Sequence, residues 1–209
     1  MAIEPIDQSR LTTWVEDVHR ETTAKFIADG SQLRPCPVMI VRALDYPGWP
    51  GPATLMVPLG DLDPDKHTAF QVAKVLAAAI EVDAYCLTTD AWMVDLKPGE
   101  FKKWQTNNEP VRNHPRRVEA LVTVGESQQG DRPTGFTTKY QRGHGGAAYG
   151  FEPMDRGNDE SRWKPLAVAG ILDPLWRTLM PGLVRESARV LALHHCRHFE
   201  LKAGAGNVH

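Results

Sequence analysis

The segment AYCLTTDAWMV, residues 84–94, decides the fold, because it has the composition of a β-strand along its whole length. A second segment, VEALVTV at 118–124, carries valine or alanine at every second position from Val118. After the polar turn ESQQGDR, the segment TGFTTKY at 134–140 alternates again. The three segments therefore predict an antiparallel meander of three strands.

A β-hairpin is predicted upstream of this meander. PVMIVRAL at 37–44 and ATLMV at 53–57 are short, apolar and rich in β-branched residues. The loop between them, DYPGWPGP, is longer than a tight turn and carries Trp49 at its tip. Trp49 is either a lid folded onto the core or an exposed contact residue.

Three segments have helical periodicity, and the first spans 9–29, with Ser9 as N-cap and Gly30 as the residue that ends the helix. The second spans 64–81, where Asp63 and Pro64 form a typical helix start. The apolar positions that define these two helices are Leu11, Trp14, Val15, Val18 and Phe26 in the first, and Phe70, Ala73, Leu76, Ala77 and Ile80 in the second.

The third helix is predicted over 174–198, with a break at Pro181 and Gly182. One face of its second half carries Leu183, Val184, Ser187, Val190, Leu191 and His194. We therefore expect a single α+β domain over 1–209, in which three helices cover an antiparallel sheet of about five strands. The remaining segments are expected to be a flexible loop at 97–116, a glycine-rich loop at 141–161 and a frayed tail at 202–209.

Composition excludes several classes of protein. The 24 Lys and Arg residues against 26 Asp and Glu give a formal net charge of -2, without the overall positive field of most nucleic-acid binders. No apolar run approaches the about 18 residues that cross a bilayer, and the acidic start MAIEPIDQSR does not resemble a signal peptide. Cys36, Cys86 and Cys196 are widely spaced and read as reduced, partly buried thiols. A cytoplasmic protein that does not engage membranes is expected.

A local excess of positive charge lies in the loop at 97–116 and just after it. Its cations are Lys102, Lys103, Arg112, Arg116 and Arg117, interleaved with Trp104. Cations beside an aromatic ring suit an acidic protein partner, and they equally suit the backbone and bases of single-stranded nucleic acid. A solvated loop without a partner is the third interpretation. The predicted partner-binding residues are Trp49, Trp104, Arg112, Arg116 and Arg117.

A metal site is the alternative from a different class. His194 and His198 lie four residues apart on the predicted third helix, a spacing at which two imidazoles can bind one zinc or similar divalent transition-metal ion. A hydrolase would need a third ligand, for which Asp90, Asp95, His144 and Glu200 are candidates. The pair lacks the glutamate of an HExxH motif, so histidines that complement the dipole at a helix end are the competing interpretation.

Two further patterns bear on catalysis. Gly143-His144-Gly145-Gly146 is similar to the oxyanion loop of lipases, but the sequence contains no G-x-S-x-G nucleophile motif. Asp90 and Asp95 flank Trp92, and Glu119 on the neighbouring strand faces one of them in some registers, which would create a carboxylate pair for acid/base chemistry. Neither pattern establishes an enzyme.

The segments AYCLTTDAWMV and NHPRRVEALVTVGE together resemble a pattern in small bacterial and phage proteins of unknown function, in which an acid-Ala-Trp-Met strand precedes a P-x-R-x-E strand. The resemblance covers about a fifth of the chain and implies a prokaryotic or phage origin without any catalytic residue. We expect an intracellular accessory protein without a cofactor that binds a macromolecule, a protein ahead of a nucleic acid, through the basic loop. The sequence leaves the oligomeric state open.

Overall fold

The computed structural model describes residues 6–29, 38–59, 66–94, 96, 99–100, 110–156, 172 and 181–201. The helices within these ranges are α1 (Gln8–Ala28), α2 (Lys66–Ala79) and α3 (Gly182–His195), with a 3-10 helix at Val111–Asn113. The strands are β1 (Val38–Ala43), β2 (Ala53–Pro58), β3 (Val82–Met93), β4 (Val118–Ser127), β5 (Thr134–Arg142), β6 (Ala148–Tyr149) and β7 (Arg197–His198). None of the helices in these ranges is long and apolar enough to cross a membrane.

The strands form one antiparallel sheet in the order β6-β5-β4-β3-β1-β2-β7. The α+β class, the β1–β2 hairpin and the β3–β4–β5 meander are confirmed. The sheet has seven strands rather than about five, because β6 and β7 are added at its two edges. Each of these strands is two residues long, which is too short to produce an alternating pattern in the sequence.

The helices cover opposite faces of the sheet. Leu11, Trp14 and Val18 of α1 pack with Ile40 and Cys86. The other face carries a second core cluster, which includes residues of β1, β2, α2 and α3. Because side chains alternate across a strand, consecutive residues such as Met39 and Ile40 supply different clusters.

Helix α1 lies directly on the sheet at Gly125 of β4. A β-carbon at position 125 would collide with the Val15 side chain and would lie 3.1 Å from Cβ of Cys86. Val15 is fully buried in this contact. The helix begins one residue earlier than predicted, and its N-cap is Asp7, whose carboxylate accepts a hydrogen bond from the Arg10 amide at 2.8 Å, so Ser9 is not the cap.

We expect Gly125→Ala to lower the free energy of unfolding by about 1–3 kcal/mol, because the added methyl group forces α1 away from the sheet. Urea denaturation measures the change. Gly145→Ala is the matched control, since an added β-carbon there meets nothing within 4 Å. Equal stability of the two variants would contradict the close packing of α1.

A buried histidine joins α1 to the sheet and was missed in the sequence. His19 is fully buried, and its two ring nitrogens lie 2.8 Å from Oγ1 of Thr123 and 2.9 Å from Oγ1 of Thr138. The Thr123 hydroxyl is also 2.8 Å from that of Thr88, so one chain of hydrogen bonds links α1 to three strands. Burial lowers the pKa of His19 to about 4.

This pKa predicts a loss of stability in acid. The folded-state pKa of about 4 lies below the unfolded value near 6.5, so the stabilisation is complete above pH 6.5 and is lost as the pH falls towards 4. We expect His19 to contribute a loss on the order of 3 kcal/mol over that interval. Urea titrations of wild type and His19→Gln across this range isolate the contribution as a difference. Parallel pH profiles for the two proteins would refute the assignment.

Helix α3 departs from its prediction in two ways. It ends at His195, because the chain turns there into β7, and residues 174–180 lie outside the described ranges. The predicted apolar face is not buried: Ala188 and Ala192 pack inward, and the larger side chains face solvent. Small residues on the inner face allow α3 to approach the alanine-rich α2 closely.

The remaining predictions fall partly inside the described ranges. The loop expected at 141–161 begins inside β5 and contains β6, with Asp155 bridged to Thr137; its last residues, 157–161, lie outside these ranges. Cys86 and Cys196 are buried free thiols as expected, and burial raises the pKa of Cys196 to about 12. Cys36, Gly30 and the tail at 202–209 also lie outside the described ranges.

Candidate partner-binding site

Three neighbouring strands bring an aromatic and polar row together at the carboxyl end of β3. Trp92 is paired with Glu119 of β4, and Glu119 is paired with Tyr140 of β5, so the three side chains share one face of the sheet. Tyr140 packs against Phe26 near the end of α1, with the ring centroids 5.5 Å apart. The row therefore starts where α1 stops covering the sheet.

An open cleft of about 340 Å³ lies over this row. Its floor is Glu119, Tyr140 and Arg142, and Trp92 and Arg117 form its rim. Trp92 is 38% exposed.

Arg142 holds the floor of the cleft together. Its Nε donates to Glu119 at 2.6 Å, and its two terminal nitrogens donate to the Gly146 carbonyl and the Tyr140 hydroxyl, each at 2.9 Å. The Asp90 carboxylate lies 3.7 Å from one of the terminal nitrogens of Arg142. Burial raises the pKa of Tyr140 to about 12, so its hydroxyl stays protonated at neutral pH.

The expected carboxylate pair is thus bound to an arginine. Asp90 is paired with Leu121 and Glu119 with Trp92, and both carboxylates reach Arg142. A carboxylate neutralised by a guanidinium is a poor general base. Asp95 lies outside the described residues.

The segment before β4 forms the basic rim. The 3-10 helix is followed by a turn in which the amide of Arg116 donates to Nδ1 of His114 at 3.1 Å and the amide of Arg117 donates to the His114 carbonyl at 3.1 Å. This turn holds the Arg117 guanidinium over the Trp92 ring, 5.1 Å from its centroid.

The three predicted arginines have different partners. Arg116 forms an ion pair with Glu100 at 2.6 Å. Arg112 and Arg117 are both exposed, and neither has a carboxylate partner among the described residues. Lys102, Lys103 and Trp104 lie outside the described ranges, so nothing tests their predicted role.

Trp49 does not belong to this site. It lies in the β1–β2 loop. The His198 ring that it contacts is in register with Leu55 of β2, Val41 of β1 and Tyr85 of β3, and Tyr85 is about 23 Å along β3 from Trp92. Trp49 instead packs against the His198 ring, with centroids 4.2 Å apart, beside a second open cleft of about 350 Å³.

The predicted helical histidine pair is wrong. His194 is in the last turn of α3, whereas His198 is in β7 and pairs with Leu55. The two imidazoles therefore lack the one-turn spacing on which the metal prediction depended. No group of three or more His, Cys, Asp or Glu side chains suited to a metal ion occurs among the residues that the structure describes.

No protein-family model matches the chain, and no curated protein or solved structure is significantly similar to it. The resemblance to bacterial and phage proteins therefore stays a prediction. Tyr140 and Arg142 were missed because the sequence predicts the β3–β4–β5 meander but not the register that aligns Tyr140 with Glu119 and Trp92. Only the alternation of the three strands hinted at a shared row.

We expect Arg142→Gln to lower the free energy of unfolding by about 1–3 kcal/mol, because it leaves Glu119 and Asp90 close together in a partly buried site without a cation. Arg20→Gln is the matched control: Arg20 also has two carboxylate partners, but it is 52% exposed and should change stability by less than about 0.5 kcal/mol. Thermal denaturation of both variants provides the comparison. A similar effect in both would show that Arg142 does not organise the cleft.

Proposed function

We propose that the protein binds a partner protein through the Trp92–Arg117 surface, defined as Trp92, Arg112, Arg117 and the adjoining cleft. The observation that carries the proposal is the guanidinium of Arg117 resting on a partly exposed indole at the rim of an open cleft. Tryptophan and arginine are the residues most often found at the energetic centre of protein interfaces.

The charges of the surface support an acidic segment as the partner. Arg142 and Arg116 are engaged by Glu119 and Glu100 of the same chain. Arg112 and Arg117 keep their charge available on the exposed side. A carboxylate that approaches Arg117 gains a charge-assisted hydrogen bond, and the guanidinium is already oriented by stacking.

The cleft supplies the apolar part of the surface. Trp92, Pro115, Val118 and the buried Tyr140 ring give an apolar lining to a space large enough for one or two side chains. A partner segment that combines a carboxylate with an apolar side chain would therefore contact Arg117 and the apolar lining of the cleft. Such a combination of anchor and charge gives an interface its specificity.

The surface suits a protein better than a nucleic acid. A nucleic-acid binder with strong electrostatic affinity neutralises roughly six to ten phosphates with lysine and arginine side chains. The described part of this surface offers Arg112 and Arg117 as cations without a carboxylate partner, and the Glu119 carboxylate lines the cleft beside Arg117. A phosphate backbone in the cleft would meet that carboxylate.

The proposal is tested by selecting binders from a displayed library of random peptides. We expect the selected peptides to combine Asp or Glu with an aromatic or aliphatic residue. Their affinity, measured by fluorescence anisotropy, should fall about tenfold or more in Arg117→Gln. Arg116→Gln is the matched control. It removes the same charge at the neighbouring position, where the Arg116 side chain is already paired with Glu100.

Two outcomes would contradict the proposal. Equal losses in Arg116→Gln and Arg117→Gln would show that net charge and not the stacked arginine governs binding. Binding of an oligodeoxythymidine probe that weakens steeply between about 50 and 200 mM salt, in the absence of selected peptides, would assign the surface to nucleic acid.

A further inference from the structure

His114 organises the turn that carries the basic rim of the cleft. Its amide donates to the Val111 carbonyl at 3.0 Å, and its carbonyl accepts from the Arg117 amide at 3.1 Å. Its ring takes part as well, because Nδ1 accepts a hydrogen bond from the Arg116 amide at 3.1 Å. The backbone and the side chain of one half-buried residue therefore hold this turn closed.

The ring contact specifies the protonation state of His114. A ring nitrogen that accepts a hydrogen bond carries no proton, so the closed turn requires a neutral imidazole with its proton on Nε2. A protonated imidazole has N–H donors at both nitrogens and cannot accept. Its Nδ1–H would face the N–H of Arg116, and these two donors would repel each other. Protonation of His114 therefore opens this contact.

The same turn sets the position of Arg117. The Arg117 guanidinium lies 5.1 Å from the centroid of the Trp92 ring, and its Nη1 donates to the His114 carbonyl at 3.5 Å. Arg117 is exposed, and it has no carboxylate partner among the described residues. The stacked geometry therefore depends on the path of the main chain through the turn and not on an ion pair.

We propose that His114 is a pH-sensitive positioning residue of the Trp92–Arg117 surface. As a neutral imidazole it holds Arg117 on Trp92, and on protonation it releases Arg117. The inference rests on the proposed function, since it describes how binding at that surface is regulated. Histidine is the side chain that ordinarily changes its charge between pH 5 and 8. Affinity for an acidic peptide is therefore expected to fall as the pH falls through this interval.

The other charged groups around the turn leave this pH dependence to His114. Arginine and carboxylate side chains ordinarily titrate outside the interval from pH 5 to 8. In the described chain, these groups are three arginines of the same segment and three carboxylates that arginines hold, namely Arg112, Arg116 and Arg117, with Glu100 held by Arg116, and Glu119 and Asp90 held by Arg142.

Fluorescence anisotropy measures the switch with a labelled peptide that contains no histidine, taken from the display experiment. We expect its affinity for the wild type to fall about threefold to tenfold from about pH 7.5 to about pH 5.5, the factor that one ordinary hydrogen bond is worth. His114→Ala lacks the acceptor and should bind weakly at both pH values. The contribution of the other histidines is common to all of these proteins.

His114→Asn is the rescue variant, because an asparagine side chain accepts from the amide two residues further on and does not titrate. It should restore the affinity that is lost in His114→Ala and keep that affinity in acid. An equal pH dependence in the wild type and in His114→Asn would overturn the proposal. So would a wild-type affinity that rises in acid, because the charge of the imidazole and not its acceptor would then govern binding.

A second measurement decides the switch without a peptide and so separates it from the proposed function. In nuclear magnetic resonance spectra at about pH 7.5, we expect His114 as the Nε2–H tautomer and the Arg117 side-chain protons shifted upfield by the Trp92 ring. Both features should be lost together in acid, whereas His114→Asn keeps the Arg117 shift.

The two possible failures are distinguishable. An Nδ1–H tautomer, or an Arg117 shift that acid leaves unchanged, refutes the switch even where peptides bind. A display experiment that yields no peptide, with the tautomer and the Arg117 shift as expected, counts against the proposed function alone.

Discussion

The direct contact between α1 and the sheet at Gly125 is the constraint on which the rest of the structure depends. Without a side chain at position 125, Val15 reaches the backbone of β4 and the helix lies low on the strands. This approach brings His19 within hydrogen-bond distance of hydroxyls on β4 and β5. It also brings Phe26 onto Tyr140, and so sets the point at which the sheet face becomes accessible.

The sequence predicts the parts of this fold that depend on local patterns. Alternation identifies the three meander strands, and periodicity identifies α1 to within a residue at its start. Features that depend on contacts between distant residues were missed. His19 is an ordinary histidine in the sequence, and only the depth of α1 makes it a buried, neutral group. The prediction of which face of α3 is buried was wrong, because the alanines of this helix, and not its leucines, pack against the protein.

The same limit applies to the candidate site. Counting the cations of the basic loop treats Arg112, Arg116 and Arg117 as equivalent, yet one of them is engaged by Glu100 and another stacks on Trp92. Arg142 becomes a candidate site residue only because the folded sheet brings Glu119 and Tyr140 within hydrogen-bond distance of its guanidinium. The electrostatics of this surface therefore depend on which charges the fold has already neutralised, a quantity that composition does not contain.

The two-residue strands β6 and β7 bear on how the protein behaves when it is concentrated. An antiparallel sheet ends in strands whose backbone groups can pair with another molecule and start edge-to-edge aggregation. Here β7 occupies the middle of β2, which itself ends in Pro58, and the chain from β6 to Asp155 covers β5. Neither β2 nor β5 offers an uninterrupted row of free amides and carbonyls. A strand from another molecule therefore has few backbone groups with which to pair. The sheet is in effect closed to growth by segments too short to act as templates themselves.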